Sequence, residues 1–294
     1  MSKKIVSLFL ALLALCCLSA ASADTVTVTD MFGREMAVPQ NVTRIVATEP
    51  SDCEILYALG CGDMLVGRGL YCDYPAEVLS LPAVQSGADT NLEEILALNP
   101  QVVIMGDMAH SVDQVQQLEA CGIPVVTTNA DSIEEVYVSI RLLGQVTGKT
   151  AEAEALIAQM QSTFAAIAEK CEKSDKTIYF EVSTLEWGLW TAGNGTFMSE
   201  LAVLCGMENT FADLAGWQPN SQEQVIARNP DYIVLVTGMD DTAVDEVLGR
   251  AGWQDITAIR EGKVYNADSY ALTRPAPRLM QAALDLYNFL AGAN

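Results

Sequence analysis

Hydrophobic and polar positions follow the same order in two stretches that lie 130 residues apart, residues 91–106 and 221–236. Each stretch opens on a residue that can cap a helix and carries an acid in the first turn, Glu93 or Glu223. Each then reaches an Asn-Pro step, which ends the helix, and a β-branched run, which is typical of a buried strand. The pattern predicts one helix–turn–strand unit in two copies.

Both helix starts carry the residues of a capping box. The side chain of Asn91 or Ser221 is placed to accept a hydrogen bond from the first turn, and Glu94 or Gln224 follows three residues later to return one. We therefore predict a capping box in both copies, with the first-turn glutamates exposed.

Strands and helices alternate through the first half of the chain, after an N-terminal hairpin over residues 25–38. Short β-branched runs at 44–48, 65–67 and 125–128 are separated by amphipathic segments, a pattern that predicts a parallel sheet. In such sheets ligands bind beyond the carboxyl ends of the strands. The loops at those ends are residues 48–51, 68–75, 106–111 and 128–131.

A helical pattern continues from residue 132 to about 173 and is interrupted only at Thr147-Gly148. No linker rich in glycine, proline or serine separates the halves, so we expect a stiff helix to join them. The second half repeats the alternation and closes with an amphipathic helix over residues 275–290, with a proline at its start.

These patterns predict an α/β fold of two Rossmann-like lobes with parallel-rich central sheets, bridged by a single long α-helix. Residues 24–131 form the predicted N-terminal lobe, 132–174 the helical connector with the bridging helix, and 175–294 the C-terminal lobe.

Residues 1–23 have the pattern of a secretory signal peptide. Two lysines precede an apolar run over residues 5–18, and residues 21–23 offer a small-x-small cleavage site. Lipid attachment at Cys16 is the alternative, although Leu15 is bulky where lipoprotein processing needs a small residue. We expect an exported protein, periplasmic or at the cell surface, with a lipid anchor as the second interpretation.

The net charge of −22 argues against nucleic acid and anionic membranes as partners, and favours solubility or a basic protein partner. Six cysteines follow the predicted signal peptide at irregular spacings and form no CxxC motif. An exported protein can hold one or two disulfides among them, and the sequence leaves the pairing open. The six are Cys53, Cys61, Cys72, Cys121, Cys171 and Cys205.

The sequence offers few groups for metal binding or catalysis. The single histidine, His110, cannot supply the several ligands of a transition-metal site. Asp107, His110 and Ser111 lie together, but three groups within one short loop rarely adopt triad geometry. The glycine-rich loop 191–196 lacks the lysine of a phosphate-binding loop, so its glycines are assigned to a turn and close packing. We predict no metal site, no cofactor and no enzyme activity.

Several motifs along nearly the whole chain after residue 24 resemble one family, the substrate-binding proteins of cobalamin and iron-chelate ABC importers. The motifs are Val28-Thr-Asp-Met-Phe-Gly-Arg-Glu, Arg44-Ile-Val, Glu54-Ile-Leu-Tyr-Ala-Leu-Gly, Tyr71-Cys-Asp-Tyr-Pro, Asn91-Leu-Glu, Thr191-Ala-Gly-Asn-Gly-Thr-Phe, Glu208-Asn, Glu223-Gln-Val-Ile-Ala-Arg-Asn-Pro-Asp and Arg274-Pro-Ala-Pro-Arg.

The resemblance implies a ligand cleft between the two lobes and little domain closure. It also implies that one acid on the outer surface of each lobe docks onto arginines of the membrane permease, and the matching positions are Glu93 and Glu223. The ABC importer permease is thus the expected partner, and we expect the binding protein to act as a monomer.

Aromatic residues in loops at the lobe edges suggest flat faces against a large, partly apolar ligand. A corrinoid fits, because its periphery offers apolar edges and amides. The resemblance also implies a ligand role for Tyr71 and Trp217, because they match positions at which cobalamin-binding members have an aromatic residue. The candidate ligand residues are Tyr71, Trp187, Trp190, Trp217, Arg68, Asp107, Tyr270 and Arg274.

An anionic ferric siderophore or haem is the alternative ligand, because it would bind arginines that converge on the cleft. Arg68 and Arg274 are the two residues that support it, whereas Arg278 is expected to anchor the closing helix. A secreted enzyme or a signalling receptor on the same fold is the alternative from another functional class.

Overall fold

The computed structural model describes residues 24–106, 108–238 and 242–292. No helix in these ranges is long and apolar enough to cross a membrane. The strands are β1 (Thr25–Thr29), β2 (Glu35–Pro39), β3 (Ile45–Ala47), β4 (Leu65–Gly69), β5 (Ala83–Val84), β6 (Val102–Gly106), β7 (Val125–Thr128), β8 (Thr177–Glu181), β9 (Trp190–Ala192), β10 (Glu208–Asn209), β11 (Trp217–Pro219), β12 (Tyr232–Leu235) and β13 (Val264–Asn266).

Helices fill the intervals between most of these strands, and short 3-10 turns cover Gly62–Met64, Ala76–Ser80 and Leu185–Trp187. The α-helices are α1 (Pro50–Ala58), α2 (Leu92–Ala97), α3 (Met108–Ala120), α4 (Ile133–Thr147), α5 (Thr150–Ala168), α6 (Phe197–Leu204), α7 (Gln222–Arg228), α8 (Ala243–Leu248), α9 (Thr257–Arg260), α10 (Ser269–Thr273) and α11 (Leu279–Leu290).

Two parallel sheets carry the fold, as the alternating pattern predicts. The first has the strand order β5-β4-β3-β6-β7 and the second the order β10-β8-β12-β13, and all ladders within them are parallel. Two antiparallel pairs accompany them, β1 with β2 and β9 with β11. The predicted α/β fold class is confirmed.

Alternate residues of each central strand enter different hydrophobic clusters, because successive side chains of a strand point to opposite faces. On β3, Ile45 and Ala47 join one cluster and Val46 another. On β8, Phe180 joins the same cluster as Ile45, while Tyr179 faces a cluster of the second half only. One continuous core therefore runs between the two sheets, and each sheet has a further, separate core on its other face.

Helix α5 carries the shared core from one half to the other. It has 19 residues, a length of about 28 Å, and contributes Met160, Phe164 and Ile167 to the core. Helix α4 ends just before α5 begins, at Gly148, whose left-handed φ of 71° favours glycine. Both α4 and α5 lie within the predicted connector, residues 132–174, and both pack into the shared core.

Two helix boundaries differ from those the pattern predicts. The closing helix begins at Leu279 rather than at Pro275, because Pro277 excludes helical backbone at the residue before it. Helix α3 begins at Met108, so His110 belongs to a helix and not to the preceding loop.

Candidate functional site

The carboxyl ends of the parallel strands form the edge of each sheet that usually binds ligands. In the first sheet β3 is flanked by β4 and β6, so the chain order reverses beside β3. In the second sheet β8 is flanked by β10 and β12 in the same way. The loops that the sequence predicts at this edge follow β3, β4, β6 and β7 in the structure.

A buried carboxylate on α1 binds two arginines from the segment before α11. Arg278 donates two hydrogen bonds to Glu54, of 2.9 Å from Nε to Oε2 and 2.7 Å from Nη2 to Oε1, and Arg274 Nη1 lies 3.2 Å from Oε1. The Glu54 side chain is 2% exposed. These ion pairs join the first half of the chain to its C-terminal segment across more than 200 residues.

Arg274 also holds the loop that contains Tyr71. Its Nη1 donates to Asp73 Oδ1 at 2.5 Å and its Nη2 to the Tyr71 carbonyl at 3.4 Å, while its guanidinium lies 4.4 Å from the centre of the Tyr270 ring. The hydrogen bond from Arg274 is the largest influence on the pKa of Asp73, which lies below its usual range. The guanidinium of Arg274 is thus committed to protein groups.

Arg68, at the start of the same loop, donates hydrogen bonds to the loop's own backbone. Its Nη1 donates to the carbonyls of Gly69, Leu70 and Cys72, at 3.2, 3.2 and 2.9 Å. Gly69 fits here because a Cβ at this position would lie 2.0 Å from the Thr48 carbonyl oxygen. Close backbone contact and the Arg68 bonds together shape the turn that presents Tyr71.

Four of the candidate aromatics are exposed, although Arg274 covers one face of the Tyr270 ring. Tyr71 is 65% exposed, Tyr270 53%, Trp187 80% and Trp190 43%. Arg274 contacts both the Tyr71 carbonyl and the Tyr270 ring, whereas Trp187 and Trp190 precede and begin β9, with Gly188 and Leu189 between them. Exposed aromatic faces of this kind are common where a ligand or partner binds.

Trp217 lies on β11 and links the two halves of the chain. Its indole Nε1 donates to Asp131 Oδ1 at 3.0 Å, and its ring packs edge-to-face on Phe197 with centroids 5.5 Å apart. The Phe197 backbone N–H also donates to the Asp131 carbonyl, at 2.6 Å. Trp217 is thus partly buried by packing that would fix its orientation.

The remaining candidate, Asp107, lies outside the described residues. The role of the whole predicted ligand set stays a prediction. Within the described ranges, no group of three or more His, Cys, Asp or Glu side chains could hold a metal ion.

The glycine-rich loop before α6 has the structural role that the sequence assigns to it. Gly195 has a φ of +81°, and a Cβ on Gly193 would lie 2.5 Å from the Leu214 carbonyl oxygen. Its glycines therefore serve a turn and a close backbone contact.

A cavity of about 670 Å³ lies between α1, the turn after Tyr74, α5 and α11. Tyr57, Tyr74, Gln159, Arg278 and Leu284 are among its lining residues, and none of the predicted ligand residues lines it. It lies beside the Glu54 ion pairs, where Arg278 stacks 4.1 Å from the centre of the Tyr74 ring. This large cavity is therefore separate from the set of exposed aromatics.

A smaller cavity, of about 160 Å³, lies at the carboxyl ends of β3 and β6, where the strand order of the first sheet reverses. Thr48, Glu49 and Gly106 line it. Next to Glu49, in the first turn of α1, Asp52 is fully buried and accepts hydrogen bonds of 3.0 Å from the Thr128 hydroxyl at both carboxylate oxygens. Burial, and then the charge of Glu49, raise the pKa of Asp52 to about 8.

The sequence analysis missed Asp52 and Glu54 as functional candidates. Both lie in a short helix in which the five consecutive residues from Asp52 to Leu56 are buried. Two acids in a helix with no polar face were the available signal, since buried carboxylates need partners.

The two copies of the repeated unit have the same burial at every position over residues 91–100 and 221–230. Glu93 and Glu223 are each the second residue of a helix and are exposed. The repeated unit is therefore confirmed as structure, with one acid on the surface of each half.

The two helices end alike, but their N-terminal caps differ. Asn99 and Asn229 both end their helix in the left-handed region at φ 47°. Ser221 and Gln224 form the predicted capping box. In the first copy Asn91 caps the helix alone, because the Glu94 carboxylate accepts instead from the Gln85 backbone N–H at 3.0 Å. The prediction of a capping box there was wrong.

Residues 45–271 match the periplasmic binding protein family. The chain belongs to that family. Its two parallel sheets and bridging helix agree with the two-lobed fold of the solved periplasmic binding proteins to which it is similar.

Three relatives illustrate the range of the similarity among periplasmic binding proteins. The uncharacterized ABC transporter substrate-binding lipoprotein YvrC of Bacillus subtilis is 34% identical over 268 residues, which covers 89% of this chain and 84% of that protein. A vitamin B12-binding protein of Vibrio parahaemolyticus is 29% identical and covers 83% and 88%. The structure of the periplasmic heme-binding protein RhuT from Roseiflexus superposes with a TM-score of 0.76 at 28% identity, covering 86% and 99%.

The buried Asp52 predicts a distinctive pH dependence of stability. An aspartate in the unfolded chain ionises near pH 4, whereas the folded pKa is about 8. Between these values the folded state keeps a proton that the unfolded state loses. Asp52 therefore lowers the free energy of unfolding as pH rises from 4 to 8, by about 1.4 kcal/mol for each pH unit.

Asp52→Asn removes this titration. We expect the variant to match the wild type near pH 4 and to become progressively more stable than the wild type up to pH 8, in urea unfolding followed by circular dichroism. The exposed Asp89→Asn serves as the control, with a profile close to the wild type. Parallel curves for Asp52→Asn and the wild type would contradict the assignment.

Proposed function

We propose that this protein is the extracytoplasmic solute-binding protein of an ABC importer and delivers a cobalamin or related corrinoid to the permease. The observation that carries the ligand assignment is the commitment of Arg274 to Glu54, Asp73 and the Tyr71 carbonyl. Arg68 Nη1 likewise donates to loop carbonyls, and its Nε, which has no partner among the described residues, is buried. An anionic chelate would need arginines with free donors. The exposed aromatics remain as the recognition surface.

A large neutral macrocycle suits that surface. Tyr71, Trp187, Trp190 and Tyr270 offer ring faces for apolar edges, and Trp217 adds a partly buried ring held by Asp131. Vitamin B12-binding proteins are among the relatives that cover most of the chain. Binding and release by this surface need no catalytic group, so we propose transport without chemistry.

A haem or ferric chelate is the second candidate ligand. Its support is the similarity to a periplasmic heme-binding protein, which has 28% sequence identity to this chain. The chain would then have to release Arg274 from Asp73 and Glu54, or recognise the chelate without arginine.

Export and a permease partner complete the proposal. The relatives include an ABC transporter substrate-binding lipoprotein, which agrees with a location outside the cytoplasm. Glu93 and Glu223 are the proposed docking residues, because each is exposed at the start of a helix in matching surroundings. Hydrogen bonds from its own backbone N–H and then from Ser221 lower the pKa of Glu223, so this acid is anionic at neutral pH.

Calorimetric titration of the purified protein tests the ligand. We expect saturable one-to-one binding of cyanocobalamin, and no binding of haemin or a ferric siderophore. Trp187→Ala should weaken cyanocobalamin binding about fivefold, since stacked aromatic faces contribute on the order of 1 kcal/mol. The exposed Val203→Ala on α6 is the control and should bind like the wild type. Haemin binding without cyanocobalamin binding would establish the second candidate instead.

Charge reversal tests the docking role. The double variant Glu93→Lys/Glu223→Lys should bind ligand normally in solution but reduce permease-dependent uptake about tenfold or more, because it sets like charges against basic partner groups. The matched control is Glu169→Lys/Glu172→Lys, two exposed glutamates with the same change in net charge. Uptake by the first variant that equals uptake by the control would refute the docking role.

A further inference from the structure

Four of the six cysteines beyond residue 24 face one another as two pairs. Cys53 and Cys72 share a carbonyl neighbour in the first half of the chain, and Cys171 and Cys205 line one cavity in the second half. The proposed transport function makes no use of either pair.

Cys53 and Cys72 are both fully buried and lie around one backbone carbonyl. The Sγ atoms of Cys53 and Cys72 are 3.7 and 4.0 Å from the Ala47 oxygen at the end of β3, and Cys72 Sγ is also 3.7 Å from the Thr48 oxygen. Cys53 belongs to α1, and Cys72 follows Tyr71 in the exposed loop. The two sulfur atoms therefore lie close together, although one belongs to a helix and the other to the loop after β4.

Cys171 and Cys205 meet where the segment after α5 passes the end of α6. The Gly206 carbonyl accepts a hydrogen bond of 2.8 Å from the Ser174 backbone N–H, and a Cβ on Gly206 would lie 3.6 Å from the Cys171 Cβ. Both cysteines line one cavity of about 180 Å³. Cys171 is partly exposed, so a small oxidant can reach this pair.

The other two cysteines have different surroundings. Cys61 is buried with its Sγ 3.7 Å from the Leu59 carbonyl, and Cys121 is exposed just after α3. The Cys61 thiol also lies beside the Thr147 side chain, and neither Cys61 nor Cys121 belongs to the two pairs.

We propose that oxidation closes two disulfides, Cys53–Cys72 and Cys171–Cys205, one in each half of the protein, while Cys61 and Cys121 remain thiols. The oxidant is a disulfide, such as glutathione disulfide or a protein disulfide catalyst of the exported compartment. One protein thiolate attacks it to form a mixed disulfide, and the second thiolate then displaces the oxidant's remaining thiolate. Each bridge forms one S–S bond, and the two electrons and two protons reduce the oxidant to thiols.

The first bridge would have a consequence for the Tyr71 loop. It would join Cys72 to α1 covalently, beside the contacts that Arg68 and Arg274 already make with the same loop. Because such a link restricts the unfolded chain and the loop together, it would hold Tyr71 in one position before ligand arrives.

Peptide mapping of the folded protein tests the pairing. The chain without residues 1–23 is refolded from urea with glutathione and glutathione disulfide, so that the buried cysteines can react, and is then denatured, alkylated and digested without reduction. We expect linked peptides for Cys53–Cys72 and Cys171–Cys205, a loss of four hydrogen atoms from the intact mass, and alkylation at Cys61 and Cys121. Any other pairing, or alkylation of all six cysteines, would overturn the proposal.

Variants and thermal unfolding give an independent measurement. Cys53→Ala/Cys72→Ala should lose the first bridge and keep the second, whereas the controls Cys61→Ala and Cys121→Ala should keep both. Reduction of the wild type should lower Tm by about 5 °C or more, since each bridge closes a loop of tens of residues. An unchanged Tm after complete reduction would contradict a stabilising role.

Discussion

The ion pairs of one buried carboxylate determine how the parts of this protein fit together. Glu54 is removed from water on α1, and an unpaired charge there would be strongly destabilising. Arg274 and Arg278 satisfy it from the segment before the last helix. The same two guanidiniums reach Asp73 and the rings of Tyr270 and Tyr74, so the C-terminal segment, α1 and the Tyr71 loop are held as one unit.

In this arrangement the arginines and the exposed aromatic residues have different roles. Arginine donors near the Tyr71 loop serve internal contacts, and exposed aromatic faces remain available to a ligand. The continuous core along α5 packs the two halves against each other. A preformed surface of this kind binds without a large ordering cost, which suits a carrier that must also release its ligand.

Local signals made the elements and the repeated unit predictable. Capping residues, Asn-Pro stops and β-branched runs act over a few neighbours, and the second copy reproduces the burial of the first. Contacts between separate elements were not predictable in this way. The bonds from Arg274 to Glu54 and from Gln85 to Glu94, and the burial of Asp52, depend on which elements meet in space. The resemblance supplied the family, whereas the geometry supplied the contacts on which the ligand proposal rests.

The salt dependence of cyanocobalamin affinity tests the central claim most directly, namely that aromatic faces bind the ligand while the arginines stay committed to the protein. Isothermal titration at about 50 mM and 500 mM sodium chloride should give dissociation constants that agree within about twofold, because contacts to a neutral macrocycle are not screened. Weakening by an order of magnitude or more at high salt would show that free charges carry recognition, and would contradict the account.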